Sequence, residues 1–326
     1  MRPVRIATQF FLRRRPVSGF RSPVSFSSIL AVHFLLLTSF FFVSCHSPFQ
    51  PEVQFSPRLN VYSVLFANAN EVYVRVTSVT RSQSGDVAQS VHGADVSLIG
   101  TEPYEFYQQI RLVDTTGVID GDTASFYFAP ISVIPGETYM VSVSKNGYPT
   151  ASASATVPDQ YTSVPDQNFY SALQNPEGMQ PTAVFNAPVS RLASAAFARV
   201  VLEYRGLDAN GNFRQGSFNV MSIDTLNPFT ELTTTSLPVA IDSGAYKHAF
   251  RLAHTLADSM TAFHLYADII VTQVDNNFYR FFVTSLRTVN PLVMRTDKIV
   301  FSNIFNGEGT GIVAGVSIDT TRVFLY

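Results

Sequence analysis

The sequence predicts a mainly β protein: two tandem β-sandwich-like domains, the second carrying one short amphipathic helix. Three observations predict it. Short runs rich in Val, Tyr, Phe and Thr recur between clusters of turn residues. Two of these runs flank Asn146-Gly147 and alternate in polarity residue by residue. The chain of 326 residues, 46% hydrophobic and 14% charged, is too apolar and too weakly charged to stay unfolded, so it must bury a large core.

The first domain spans 58–158, with candidate strands at 59–66, 71–79, 94–99, 105–113, 125–128, 138–145 and 150–157. Asn146-Gly147 is a two-residue hairpin signal, because a type I′ turn needs positive φ at both positions. Before it, Tyr139, Val141 and Val143 share one face and Ser142 and Ser144 the other. After it, Ala151, Ala153 and Ala155 alternate with Ser152, Ser154 and Thr156. One buried and one wet face is what a sandwich strand requires. A linker at 159–181, rich in Pro, Asp, Gln, Asn and Ser, breaks every period and offers only Phe169 and Leu173 as anchors. The second domain, 182–326, has strand-like runs at 183–189, 196–204, 213–223, 246–253 and 262–274, with a last pair at 298–304 and 312–318. Within it, Phe278, Phe281, Phe282 and Leu286 fall at i, i+3, i+4 and i+8, which predicts a helix over 276–287 with Asp275 as its N-cap.

The N-terminal stretch decides the compartment. Six arginines and no acid precede residue 45, and an uncharged apolar run follows them from Ser22 to Ser44. A basic region followed by an apolar one is the layout of an export signal. A membrane span needs about 20 apolar residues, so length barely separates the two readings and the end of the segment arbitrates. It ends Phe42-Val43-Ser44-Cys45, at the only cysteine of the chain. This resembles the lipobox of bacterial lipoproteins, whose Cys thiol is diacylated and becomes the new N-terminus. The resemblance implies a lipoprotein signal peptide at 1–44, lipidation (palmitate or a similar acyl chain) at Cys45, and a lipidated tether at 45–57. Two acyl chains suffice for stable anchoring. His46, rather than Asp, follows the Cys, which by the sorting rules of that family implies the outer membrane and leaves the facing side open.

Several further segments match known patterns. His92-Gly93-Ala94-Asp95-Val96-Ser97-Leu98 resembles the strand opening of a transthyretin-like or carboxypeptidase-regulatory-type sandwich, and Pro135-Gly136-Glu137-Thr138-Tyr139 with Ala155-Thr156-Val157-Pro158 resembles its end. Asn277–Phe282 and Ser302–Gly309 are similar to the C-terminal part of a domain-of-unknown-function family of outer-membrane lipoproteins, often encoded beside TonB-dependent receptors. The resemblance implies a location and a TonB-dependent receptor as partner. It implies no chemistry.

Tests for chemistry return little. The run Gly307-Glu308-Gly309-Thr310-Gly311 is followed by a strand pattern, not by the helix a phosphate loop needs. Asp208, Asn210 and Asn212 have the 1-3-5 spacing of a calcium loop, but Phe213 and Asn219 stand at its sixth and twelfth positions. Asp114, Asp120 and Asp122 read as a solvated turn. His248, His254 and His264 match no zinc spacing. No Gly-x-Ser-x-Gly elbow occurs, so nucleophilic catalysis lacks a sequence candidate. The six leader arginines leave 16 bases against 24 acids in the body, which argues against nucleic-acid binding. The expectation is a non-enzymatic, lipid-anchored outer-membrane protein without cofactor, acting as a binding or accessory partner, with residues 307–311 as the partner surface. A structural or adhesive envelope module and a lipid-anchored hydrolase with dispersed acidic residues are the alternatives.

Overall fold

Where β-branched and aromatic residues occupy every second position, one side of the backbone is apolar and the chain extends to bury it. The structure, a computed structural model, describes residues 57–79, 89–100, 109–119, 122–178, 182–220, 229–286, 301–305 and 309–326. In chain order the elements are β1 (Arg58–Phe66), β2 (Val72–Val79), β3 (Gln89–Ser90), β4 (Asp95–Gly100), β5 (Gln109–Arg111), β6 (Val113–Ile119), β7 (Asp122–Ala129), β8 (Thr138–Lys145) and β9 (Tyr148–Thr156). They continue with α1 (Gln167–Gln174), β10 (Thr182–Pro188), β11 (Ala195–Asp208), β12 (Phe213–Val220), β13 (Thr230–Glu231), β14 (Ser236–Asp242) and α2 (Ser243–Ala257). The last are β15 (Met260–Val274), α3 (Asn276–Leu286) and β16 (Thr310–Phe324). The fold is mainly β and sandwich-like, as the sequence predicts.

The strands form a ten-stranded sheet in the order β12-β11-β15-β16-β1-β2-β7-β6, with β13 beside β11 and β3 beside β2. A four-stranded sheet runs β5-β4-β8-β9, and β10 pairs with β14. Every pairing is antiparallel except β1 with β16, which run parallel from Asn60↔Thr310 to Phe66↔Val316. Each half of the large sheet has its own core. Leu59, Val61, Val74 and Val76 of β1 and β2 join Leu98, Val141, Val143 and Ala153 of the four-stranded sheet. In the other half, Val200, Leu202, Leu265 and Ile269 are covered by Phe185, Val239 and Ile241 of the two-stranded sheet and by Phe169, Leu173, Tyr246 and Ala253 of α1 and α2. The opposite side of the sheet is covered near its middle by α3, whose Phe278, Tyr279 and Phe282 pack around Val274, Val316 and Phe229.

Several expectations are corrected. Residues 246–253 are helical, inside α2, because Asp242 accepts the Ala245 N–H at 2.8 Å as N-cap and Tyr246, Ala249 and Ala253 form a buried stripe at helical spacing. The expected linker holds α1, capped by Asp166 and anchored by buried Phe169 and Leu173, so three helices stand among the described residues where one is predicted. Residues 301–304 are not a strand, and Phe305 makes a single bridge to Ser152; residues 298–300 lie outside the described ones. Only Gly147 of the Asn146-Gly147 pair takes positive φ, and the register shifts between Val143 and Lys145, so the turn is bulged rather than type I′. The halves 58–158 and 182–326 share one sheet through β1 and β16, and Phe55–Tyr326 forms one compact unit.

Candidate functional site

The residues picked out by sequence do not assemble into one site. Cys45, Gly307 and Glu308 lie outside the described residues. Gly309 and Gly311 are used by the chain itself. A β-carbon at Gly309 would lie 2.8 Å from the Ile304 side chain and 3.1 Å from the Leu59 carbonyl, and one at Gly311 would collide with the backbone of Val61. These glycines let β16 lie against β1, and Thr310 adds a hydrogen bond to the Asn60 side chain. Asp208 closes the tip between β11 and β12: its Oδ1 accepts the N–H groups of Asn210 and Asn212, each at 2.9 Å, and its Oδ2 pairs with Arg214 at 3.2 Å. The Asn212 N–H is the first of the donors that hold this carboxyl below its usual range. His248 lies exposed on α2, while the His254 ring packs at an angle against Phe250 and Tyr326 and the His264 ring against Tyr266 and Phe324. Among the described residues no three His, Cys, Asp or Glu side chains gather as a metal site.

The outer face of β12, β11, β15 and β16 does form a site. Strand alternation turns Val200, Leu202, Leu265, Ala267 and Val323 inward, so their neighbours point out. Register then places Arg205 opposite His264, Glu203 opposite Tyr266, Tyr266 opposite Phe324, and Asp268 opposite Arg322. Arg322 is the hub. Its Nε and Nη2 donate to the two Asp268 oxygens, both at 2.7 Å, and Nη2 also bonds Glu203. Glu203 in turn accepts from Arg205 Nε at 2.7 Å. Hydrogen bonding to Asp268, ahead of its charge and that of Glu203, raises the Arg322 guanidinium above its ordinary value. Arg322 Cζ lies 5.1 Å from the Tyr266 ring centre, and the Tyr266 and Phe324 rings meet edge-on at 5.7 Å. Phe324 is 52% exposed, and Phe213 and Leu207 extend the face toward the sheet edge.

A search of family models and of curated proteins finds no match to this chain.

Two polar constellations lie elsewhere. Between the halves, a cleft of ≈ 610 Å³ is lined by Asn68, Asp159, Gln160, Asp319 and Thr320. Buried Gln273 organises it, accepting the Ser190 N–H at 2.6 Å and donating to Asp319 at 2.9 Å, while Ser190 Oγ donates to Asp159 at 2.8 Å. Burial pushes the Asp319 carboxyl up, against the Tyr161 N–H and the Gln273 and Gln160 side chains that favour its charged form. At the far end of the sheet, the loop 91–94 is clasped over β6 and β7. Tyr127 Oη donates to the Val91 carbonyl and accepts the Ala94 N–H, at 2.8 and 2.9 Å, and Asp114 accepts the Gly93 N–H at 2.7 Å. Sequence reasoning missed both constellations, and Asp114, read as part of a solvated turn, lies instead in strand β6, because it pairs with Tyr127 of β7. Glu203 and Arg205, two apart on one strand, signal a shared face, but their link to Asp268 and Arg322 requires the register.

Proposed function

We propose that this chain is an outer-membrane lipoprotein, anchored by acyl chains on Cys45, that works as a binding or accessory partner through the outer face of β12, β11, β15 and β16. The observation that carries the docking surface is the grouping of half-buried Tyr266 with exposed Phe324 and Arg322 on the part of the outer sheet face that lies beyond α3. Aromatic residues and Arg dominate binding hot spots because they offer large rigid area with a polar edge. The face binds rather than catalyses, since Glu203 and Asp268 are already committed to guanidinium groups. The anchor rests on the leader and on Phe42-Val43-Ser44-Cys45. Among the described residues no helix is long and apolar enough to cross a membrane. The partner implied by the sequence resemblance is a TonB-dependent receptor.

The test is co-purification of the tagged full chain from membranes. Joint replacement Tyr266→Ala and Phe324→Ala is expected to cut recovery of the receptor at least tenfold, with an unchanged circular dichroism spectrum. Cys45→Ser is expected to remain uncleaved and to take up no palmitate analogue. Full receptor recovery with the double variant refutes the docking face, and labelling of Cys45→Ser refutes the anchor.

A further inference from the structure

Asp114, His92 and Ser125 stand in line at the β6–β7 end of the ten-stranded sheet, far in strand order from the face described above. Asp114 and Ser125 sit on paired strands and on the same face, two residues apart in register, because Asp114 pairs with Tyr127 and Thr116 with Ser125. His92 reaches over both from the clasped loop. Its Nδ1 lies 3.2 and 3.3 Å from the two Asp114 oxygens, and its Nε2 lies 3.4 Å from Ser125 Oγ. A carboxylate at Nδ1 fixes the tautomer, keeping the proton there and turning the Nε2 lone pair toward the hydroxyl. The loop itself is held independently of the imidazole: Lys145 Nζ donates to the carbonyls of His92 and Gly93 at 2.6 and 3.1 Å, and Tyr127 pins both flanks. The ring is therefore not needed to fasten the loop, and its side chain is 58% exposed, open to an incoming molecule.

We propose that Ser125, His92 and Asp114 form a nucleophilic set that hydrolyses activated acyl esters. Ser125 Oγ attacks the ester carbonyl carbon while its proton passes to His92 Nε2. The carbon–oxygen bond to the alcohol then breaks, and the leaving alcohol takes that proton. A water molecule, deprotonated by the same nitrogen, attacks the acyl-Ser125 ester and releases the carboxylic acid, restoring the hydroxyl. Asp114 positions the ring and stabilises the imidazolium without accepting the proton. Water is the only co-reactant.

The experiment uses the purified full chain with p-nitrophenyl acetate as substrate and a fluorophosphonate as covalent probe. The probe is expected to add once, at Ser125 by peptide mapping, and not to add to heat-unfolded protein. Ser125→Ala removes one hydroxyl, and its ester hydrolysis is expected to fall about a hundredfold, the scale of a positioned base. Asp114→Asn is expected to slow probe labelling while the unfolding midpoint of Ser125→Ala matches that of the parent chain. An unlabelled Ser125 in folded protein, or parent-level hydrolysis by Ser125→Ala, overturns the proposal. Receptor co-purification is read separately, so loss of one activity leaves the other standing.

Discussion

Asp275 shows how one residue can join three elements. Its Oδ1 accepts the Phe278 N–H at 2.8 Å, capping α3, and the N–H groups of Gly315, Thr156 and Asn277 also serve the carboxylate. Burial nevertheless dominates and pushes the carboxyl up to about 6, against an ordinary value of 3.8. Between those two values the folded chain binds more proton than the unfolded chain, so the sign is fixed: this group's contribution to stability is greatest below about pH 4 and is lost as pH rises through about 6. The swing is on the order of 2 to 3 kcal/mol. Denaturation midpoints measured from pH 4 to 7 are expected to fall less for Asp275→Asn than for the parent chain. Asp319 shifts in the same direction and is left in place by that substitution, so the difference isolates Asp275. The cap was legible in sequence because an N-cap is a local pattern, an Asp three residues before an apolar stripe. The ion-paired Arg322 was not, because its partners Asp268 and Glu203 lie on other strands.

At the scale of elements, β16 is set by what its glycines omit. A side chain at Gly315 would run into the Thr156 carbonyl, with the Thr156 carbonyl carbon at 2.7 Å and Val157 Cα at 2.8 Å. All of these are backbone atoms that cannot swing away. Gly315→Ala is therefore expected to destabilise by about 3 kcal/mol, the upper end for overpacking. Gly211→Ala, at a positive-φ turn with nothing within 4 Å, is expected to cost about 1 kcal/mol. Urea midpoints compare the two, and equal losses would refute the close-packing reading of β16. The helix α2 explains why one element was misread. Its buried stripe is partly alanine, at Ala249 and Ala253, while Leu252 is 42% exposed. Small residues on the core side and a large one outside gave Tyr246, His248, Phe250 and Leu252 the look of a strand face. The alternation in β8 and β9 carried no such conflict: Val141, Val143, Ala151 and Ala153 are all buried, as read.

For the whole molecule, the shared sheet governs how it comes apart. Two cores joined only by a linker would melt separately. Here β16 pairs with β1 on one side and with β15 on the other, and Asn277 and Asn303 each donate to the carbonyls of Ser154 and Val313, tying the layers together. Calorimetry of the chain is expected to show one cooperative transition for both cores. Two resolved transitions would refute it. Periodicity in the sequence reported which side of each strand faces inward, and that much of the fold was legible. It carried no information on which strand lies beside which, and so the outer face of β11, β15 and β16 emerged only with the register.

The parallel pairing of β1 and β16 also sets a timetable. Asn60 and Thr310 are 250 positions apart, so the first strand to leave the ribosome must wait for the last before its free edge is closed. Contacts of such separation slow folding, and an open edge is a template for wrong pairing in the meantime. A growing chain that ends before Thr310 has every residue of its first core except Val313, yet lacks the strand that shields it. Stalled or truncated products of this protein should therefore aggregate rather than persist as half-molecules.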